Sequence, residues 1–296
     1  MLEAKESLYF YVMMQNALAK GDKLNTKEIT NLALQLAGMN EIPADSAIHI
    51  EGEDIRKILF CIDAGTSELM LAKQFGCDAV IAHHPPGGVS AINFAEAFKR
   101  HIKLMTAAGI PRGIAERAVK RKFSQLEVDA HRKSYAQVID AARILNIPFM
   151  NIHMPLDEIG RWRMNEKIRE RTSENSTVQE VISALMEFPE FQNALTKIKV
   201  WLGKPENRRG KIVVSHGAGT NGGYEIAKTY FEHGVDTLIY IHISPADLEK
   251  LRAEFGEEKN LIVTGHIASD SLGINPLIHE LENKGISVER LGIVPG

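Results

Sequence analysis

The sequence predicts an α/β protein in which a strand–helix–strand unit is duplicated, giving two α/β halves related by a pseudo-twofold axis. Short continuous apolar runs, typical of buried parallel strands, alternate with segments that have the apolar periodicity of helices. The unit occurs twice, because KILFCIDAGTSE, a helix and CDAVIAHH are followed later by KIVVSHGAGTNG, a helix and VDTLIYIH. The matched residues are Lys57 with Lys211, Asp78 with Asp236, and His84 with His242.

Composition indicates a cytoplasmic protein of 296 residues, long enough for one large domain or two. No apolar run approaches the roughly 20 residues that span a bilayer, so we expect no membrane insertion. The start of the chain lacks the cleavage pattern of a signal peptide. Cys61 and Cys77 are too few for a disulfide framework, which favours reduced thiols. The net charge of −3 argues against a general nucleic-acid binder.

The first half begins with helices predicted at Leu8 to Leu18 and Asn25 to Ala37, from apolar spacings of three and four residues. Ile55 to Ile62 is an apolar run typical of a buried strand. A helix capped by Thr66 or Ser67 follows, because Glu68 stands where a capping box places its carboxylate. It leads into the next buried strand, which starts at Ala79.

Two histidines end this strand. The apolar run Ala79 to Ile81 stops at His83 and His84, and the prolines that follow cannot continue a ladder. In open α/β sheets, ligands bind at the carboxyl ends of strands. Neighbouring side chains on a strand point to opposite faces, so the pair suits two metal ions, or one ion and an outer ligand. Taken alone, the pair could equally consist of polar residues bonded to the backbone.

A second strand end repeats this pattern further along the chain. After a helix at Phe94 to Ala108, the basic segment Arg112 to Lys133 could bind phosphate or form a solvated helix face. A helix at Ser134 to Leu145 then leads into a strand, Ile147 to Ile152. This strand ends at His153, and Asp157 follows four residues later.

We divide the chain into a first half at 1–170, which includes the N-terminal helices, and a helical connector with the second half at 171–296. Helices are predicted at 177–186, 191–195 and 224–232, with strands at 211–214 and 261–264. The glycine-rich turn SHGAGTNGG could hold an anion on its amides, or simply pack a tight strand–helix turn.

The last predicted helix, His266 to Leu281, provides the third pair of ligand types. His266 and Asp270 are four residues apart, so they share a face about 6 Å apart along the axis, although Asp270 could also be a capping or solvent residue. Three strand ends therefore carry imidazole and carboxylate groups, the ligands of zinc, iron, manganese or cobalt. Five or six such ligands suit two ions about 3.5 to 4 Å apart.

At these residues the sequence resembles the NIF-three-like family of dinuclear-metal proteins, which includes homologues of GTP cyclohydrolase I type 2. The resemblance covers Asp45 to Gly296 and consists of HHP, H-x-x-x-D, GAG and a terminal GH-x-x-x-acid motif in the family's order. It implies two divalent metal ions, zinc, iron or manganese, beside His153, and often a homohexameric ring with the metal sites facing inward. The ligands that it implies are His83, His84, Asp157, His266 and Asp270.

Several positions depart from the family pattern. Asp270 stands where the family usually has glutamate, and Met154–Pro155 replaces a usual threonine–asparagine. Arg161, Trp162 and Arg163 follow where the family tends to small residues, and the basic segment Arg112 to Lys133 looks like additional sequence.

Two classes of function follow from these expectations. The first is a metal-dependent hydrolase of the GTP cyclohydrolase kind, acting on a nucleotide or related ring, with His153 as the group that transfers a proton. Arg161 and Arg163 could then hold phosphate and Trp162 could stack on a base, or all three could pack between helices or subunits. The second class is a non-catalytic metal-binding or regulatory assembly.

Overall fold

A computed structural model describes residues 23–296. The helix predicted at Leu8 to Leu18 lies outside the described residues. The helices are α1 (Thr26–Leu36), α2 (Thr66–Gln74), α3 (Gly88–Ile92), α4 (Phe94–Phe98), α5 (Arg100–Ala107), α6 (Arg112–His131), α7 (Gln137–Ile144), α8 (Met154–Arg171), α9 (Val178–Leu185), α10 (Pro189–Asn193), α11 (Gly223–Glu232), α12 (Pro245–Phe255) and α13 (His266–Asn283). The strands are β1 (Ala47–Ile50), β2 (Lys57–Cys61), β3 (Ala79–Ala82), β4 (Phe149–Asn151), β5 (Lys199–Leu202), β6 (Ile212–Val214), β7 (Thr237–Tyr240), β8 (Asn260–Val263) and β9 (Ser287–Leu291).

The strands form two sheets of matching topology. The first has the order β1-β4-β3-β2-β9 and the second β5-β8-β7-β6. In each sheet the strands that follow one another through helices are parallel, whereas the edge strand that precedes them, β1 or β5, is antiparallel to its neighbour. The predicted α/β fold with two related halves is therefore confirmed, and β9 is an extra edge strand on the first sheet.

The two copies of the repeat agree in detail. Ile58 is opposite Ala79 in the first sheet, as Ile212 is opposite Thr237 in the second. Before the second strand of each unit, an aspartate accepts a hydrogen bond from the backbone amide of the matched lysine: Asp78 from Lys57 at 2.8 Å and Asp236 from Lys211 at 2.9 Å. The edge strands β1 and β5 also carry a register shift at the same place. The repeat is thus structural as well as sequential.

Helices α8 and α13 form a layer between the two sheets. Their apolar residues pack against the inner face of the first sheet through Leu156 and Leu277, and against the second through Met164 and Leu272. The outer face of the first sheet is covered by α2 and α7, and that of the second by α5, α6, α11 and α12. Among the described residues, no helix is both long and apolar enough to cross a membrane.

The backbones of α8 and α13 touch where they cross. A Cβ atom built on Gly273 would lie 1.9 Å from the carbonyl oxygen of Leu156, and one on Gly160 would lie 3.1 Å from that of Ser269. Each glycine follows a histidine and an aspartate in the same pattern, H-x-x-x-D-x-x-G, at 153–160 and 266–273. The helix crossing therefore fixes the spacing of the two motifs.

Some predicted elements differ in their limits. The cap of α2 is Gly65, not Thr66 or Ser67, because the Glu68 carboxylate accepts a hydrogen bond from the Gly65 backbone amide at 2.7 Å. The helix predicted at Phe94 to Ala108 is divided into α4 and α5. The helices α3, α8 and α12 were not predicted. The edge strands β1, β5 and β9 were not predicted either, because short edge strands lack a continuous apolar run.

Candidate metal centre

The carboxyl ends of the two sheets meet at one cluster of histidine and aspartate side chains. His83 and His84 follow β3, Asp157 lies in the first turn of α8 after β4, and His266 and Asp270 lie at the start of α13 after β8. All five ligands implied by the family resemblance are therefore brought together. His153, immediately before α8, joins them.

Asp157 is the carboxylate on the side of the first sheet, and it is 3% exposed. Its Oδ1 atom lies 3.1 Å from Nε2 of His83 and 3.7 Å from Nε2 of His216, and its Oδ2 lies 3.8 Å from Nε2 of His153. Three imidazoles thus face one carboxylate, and one of them, His216, comes from the second half.

Asp270 is the matching carboxylate from the second half, and it is 1% exposed. Its Oδ2 atom lies 3.2 Å from Nε2 of His266, 3.3 Å from Nε2 of His84 and 3.7 Å from Nε2 of His83. The aspartate is one methylene shorter than the family's usual glutamate, but it reaches three imidazoles because α13 crosses α8 in backbone contact.

Partners outside the cluster fix the orientation of the rings. The Nδ1 atom of His83 bonds the carbonyl oxygen of Ile152 at 3.1 Å, and that of His84 bonds Asp63 at 2.8 Å. Nδ1 of His153 bonds the buried Asp45 at 2.8 Å. Each bond leaves Nε2 directed towards the two central carboxylates, which is the arrangement in which metal-ligating histidines are held.

The cluster contains buried polar atoms without hydrogen bonds. Within the described part of the chain, these atoms are His83 Nε2, His216 Nε2, Asp157 Oδ1 and Asp270 Oδ2. Leaving such atoms unpaired is costly unless a ligand satisfies them. A divalent metal ion fits, because imidazole nitrogen and carboxylate oxygen are the donors that zinc, iron and manganese take. The residues present can therefore hold metal ions.

The two carboxylates change the pKa values around them. Burial by itself would lower the pKa of His153, but Asp157 and Asp45 outweigh it and raise that pKa to about 9. Burial is likewise outweighed at His84, where Asp270 and Asp63 raise the pKa above its ordinary value. The pKa values of Asp157 and Asp270 are held below the ordinary range, because the charges of the surrounding histidines outweigh burial.

We expect metal binding near pH 7 to release at least about one proton per chain, because His84 must lose its proton before it can act as a ligand. Divalent ions beside His153 would also oppose the carboxylate charge that raises its pKa. A raised pKa stabilises the metal-free fold below the ordinary value of 6.5, and this contribution is lost as pH rises through about 9. Raising the pH over that window should therefore lower the melting temperature of metal-free protein while strengthening metal binding. Calorimetric titration with zinc in two buffers of different ionisation enthalpy measures the protons released, and equal heats in both buffers would contradict this expectation.

A cavity of about 320 Å³ opens above the cluster. Phe94, Leu126 and Ile241 form its apolar walls. Lys122 and Lys133 from the basic segment also line it, together with the glycine turn 217–221. The volume lies at the lower end of the range of about 300–1,000 Å³ that small-molecule sites occupy.

Three residues of the cluster were missed by the sequence analysis. Asp63 lies two residues after β2 and His216 two residues after β6, so both had the strand-end signal that identified His83 and His84. Asp45 comes before β1, and it reaches the same edge because β1 runs antiparallel to β4. Its signal was hidden, since β1 itself was not predicted.

Arg161, Trp162 and Arg163 are not among the described residues that line the cavity. Arg161 makes two hydrogen bonds to the carboxylate of Glu158, and Trp162 packs against Gly38. Arg163 donates to the carbonyl oxygen of Leu272 at 2.6 Å. That carbonyl lacks its usual helical partner, because the residue four positions on is Pro276 and has no amide proton. Their role in substrate binding stays a prediction.

Comparison with known proteins identifies the family. A solved structure of a NIF3 superfamily protein from Sphaerobacter thermophilus is 45% identical to this chain, with a TM-score of 0.89, and covers 91% of this chain and 98% of that chain. Two more distant structures share the fold. Reduced HcgD from Methanocaldococcus jannaschii is 12% identical with a TM-score of 0.53, covering 91% of this chain and 99% of that chain. A hypothetical protein from Staphylococcus aureus is 13% identical with a TM-score of 0.52, covering 93% of this chain and 99% of that chain. No protein-family profile and no curated protein matches the chain. Since the first of these relatives matches over nearly its whole length, the chain belongs to the NIF3 superfamily.

Proposed function

We propose that this protein is a metal-dependent hydrolase with two divalent ions, acting on a small molecule in the cavity. The observation that carries the proposal is the set of four buried ligand atoms without hydrogen bonds on His83, His216, Asp157 and Asp270. All of these residues except His83 line the cavity. A structural metal would be closed off by its ligands, whereas this cluster faces a cavity with room for a substrate.

The residues divide into two ligand groups around the two aspartates. Asp157 with His83 and His216 would hold one ion, and Asp270 with His84 and His266 would hold the other. When bound, two such ions would supply a water of lowered pKa and polarise the bond to be broken. Zinc, iron and manganese all accept this donor set.

His153 is the residue that we propose to move a proton. It lines the cavity, and Asp45 holds its Nδ1, so its Nε2 points inward in a fixed orientation. Its 3.8 Å separation from Asp157 is the longest contact that any imidazole makes with that carboxylate. Imidazole is the side chain most often used for proton transfer, and divalent ions held by Asp157 would oppose the carboxylate charge that raises the pKa of His153 to about 9 in the metal-free chain.

For the substrate we propose a nucleotide or related ring, hydrolysed in the manner of GTP cyclohydrolase. The family resemblance supports this class, and the apolar Phe94 and Leu126 walls suit a planar ring. We propose the cytoplasm as the location, because Cys61 and Cys77 are free and buried. A homohexameric ring is proposed on the resemblance alone, and a monomer in light scattering at micromolar concentration would contradict it.

The test combines metal analysis with turnover of a panel of nucleotides and cyclic amides. We expect about two metal ions per chain, and hydrolysis that is lost on chelation and restored by adding metal. His153→Ala should lower turnover while metal stays bound, whereas His84→Ala should lose both. Full metal content without turnover across the panel would instead support a metal-binding or regulatory protein. Turnover that survives chelation would refute the proposed mechanism.

A further inference from the structure

We propose that the mouth of the cavity is a phosphate subsite, formed by Lys122, Lys133 and the glycine turn 217–221, and that the substrate is a small phosphorylated compound. The proposal rests on the proposed function, because it places the phosphate beside the same metal cluster. It gives a role to the basic segment and to residues 217–221, neither of which contributes a metal ligand.

The two lysines lack ion pairs among the described residues, whereas several cations near them have one. On or beside the same helical segment, Lys99 pairs with Glu96, Arg112 with Glu116 and Arg121 with Glu225. Lys122 is half-buried and Lys133 follows the end of α6, and among residues 23–296 neither has an ion pair. Both line the cavity. Charges left unpaired at a ligand cavity attract a ligand of opposite sign.

The charge balance of the centre favours a dianion. Two divalent ions would be neutralised by four carboxylates, those of Asp157 and Asp270 in the cluster and of Asp45 and Asp63 behind it. The two lysine ammonium groups then remain without counter-charge. A phosphate monoester carries close to two negative charges near neutral pH and offers three acceptor oxygens, so it complements this pair.

The glycine turn supplies amide donors to the same cavity. The backbone amides of residues 217–221 donate to no acceptor that the structure describes. Gly217 and Gly219 have positive φ values of +74° and +78°, and Ala218 between them does not. Such alternation of the sign of φ directs successive backbone amides to one point, which forms an anion-binding nest. The turn is held in place, because Nε2 of His101 bonds the carbonyl oxygen of Thr220 at 2.8 Å and Gly217 packs on Glu158. Burial lowers the pKa of His101 to about 4, so the ring is neutral and donates one hydrogen bond.

Ring contacts connect Lys133 and the glycine turn 217–221 to the metal cluster. The Lys133 Nζ atom lies 5.9 Å from the Phe94 ring, whose centroid is 5.8 Å from that of His153. In the glycine turn, the Asn221 side chain forms a hydrogen bond with His242, whose ring centroid is 4.7 Å from that of His266. A compound with one phosphate at the mouth and its reacting group at the floor therefore suits this cavity, and its small volume favours one phosphate over three.

Direct binding measurements on the zinc-loaded full chain test the subsite. Titration calorimetry with inorganic phosphate and with phenylphosphonate, which cannot be hydrolysed at oxygen, gives affinities without turnover. We expect each of Lys122→Gln and Lys133→Gln to weaken binding by about tenfold or more, because each removes a charge-assisted hydrogen bond. Lys120→Gln is the matched control, since Lys120 is an exposed lysine on α6 outside the cavity lining. Metal content and melting temperature should be equal in all four proteins.

The outcomes separate this proposal from the proposed function. Phosphate affinity that is unchanged in both cavity variants, or lowered as much by Lys120→Gln, would overturn the subsite even if metal-dependent turnover is found. Lysine-dependent phosphate binding in a protein without metal-dependent turnover would retain the subsite and reject the hydrolase. If phenylphosphonate binds no more tightly than phosphate, its phenyl ring gains nothing from the apolar walls at Phe94 and Leu126. That result would overturn the part of the proposal that places a ring beside the phosphate.

Discussion

Asp157→Asn should bind metal more than about 100-fold more weakly than the wild type, with the fold retained. The substitution keeps the shape of the side chain but removes the negative charge that faces His83, His153 and His216. Loss of an outer partner alone typically costs 10- to 100-fold in metal affinity, so loss of a central anionic ligand should exceed that range. Metal analysis after gel filtration, with circular dichroism for the fold, measures the effect.

Asp63→Asn is the graded control for this prediction. Asp63 is exposed and bonds the far nitrogen of His84, so its loss should weaken metal binding by about 10- to 100-fold and leave the other half of the centre intact. If Asp157→Asn retains two ions per chain at the wild-type affinity, the cluster is not the metal centre. If the two variants lose metal equally, Asp157 is no more central than an outer partner.

Gly273→Ala should have the largest effect on stability, a loss of about 4 kcal/mol or more in the free energy of unfolding. The new methyl group would meet the Leu156 carbonyl oxygen at 1.9 Å, a contact with backbone that no side-chain rotation can relieve. Relief requires α8 and α13 to move apart, which would also separate Asp157 from Asp270. We therefore expect a lower melting temperature together with weaker metal binding, both measured on the same preparation.

Two further glycine variants keep this prediction testable if Gly273→Ala fails to fold. Gly160→Ala would meet the Ser269 carbonyl oxygen at 3.1 Å, so a smaller loss of about 1–3 kcal/mol is expected. Gly113→Ala on α6 meets only the end of the Arg117 side chain at 3.8 Å and should be neutral or stabilising by about 0.5–1 kcal/mol. A melting temperature of Gly160→Ala at or above that of Gly113→Ala would contradict the close crossing.

The part of the centre that the sequence revealed is the part carried by buried parallel strands. The run AVIA before His83 is apolar throughout because β3 is covered on both faces, and so its end is visible in the sequence. The second sheet was predicted in the same way, because the repeated strand–helix–strand unit also contains buried apolar strands. Asp270 and Asp157 were found through their spacing from a histidine, although the shared glycine three residues later was not.

What the sequence could not show depends on contacts between distant segments. β9 has the sequence SVERL with a single buried residue, and only its pairing with β2 makes it a strand. The contact of Arg163 with Leu272 arises because Pro276 leaves a carbonyl free in another helix, which no local pattern reports. Likewise, the position of Lys122 at the cavity depends on how α6 packs on α11, through Val119 and Tyr230.

The pairing of β9 with β2 has a consequence for the order in which the molecule can be assembled during synthesis. β2 is made long before the strand beside it, because 225 residues lie between Cys61 and the start of Ser287–Leu291. Domains usually fold as units while synthesis proceeds, yet this sheet lacks one edge until residues 287–291 have been made. Until then Lys57 to Cys61 presents an open strand edge, the kind of surface through which nascent chains associate wrongly. Folding of the first half is therefore expected to finish only once residues 287–291 are available to pair with β2, and a chain truncated before residue 287 should aggregate rather than fold.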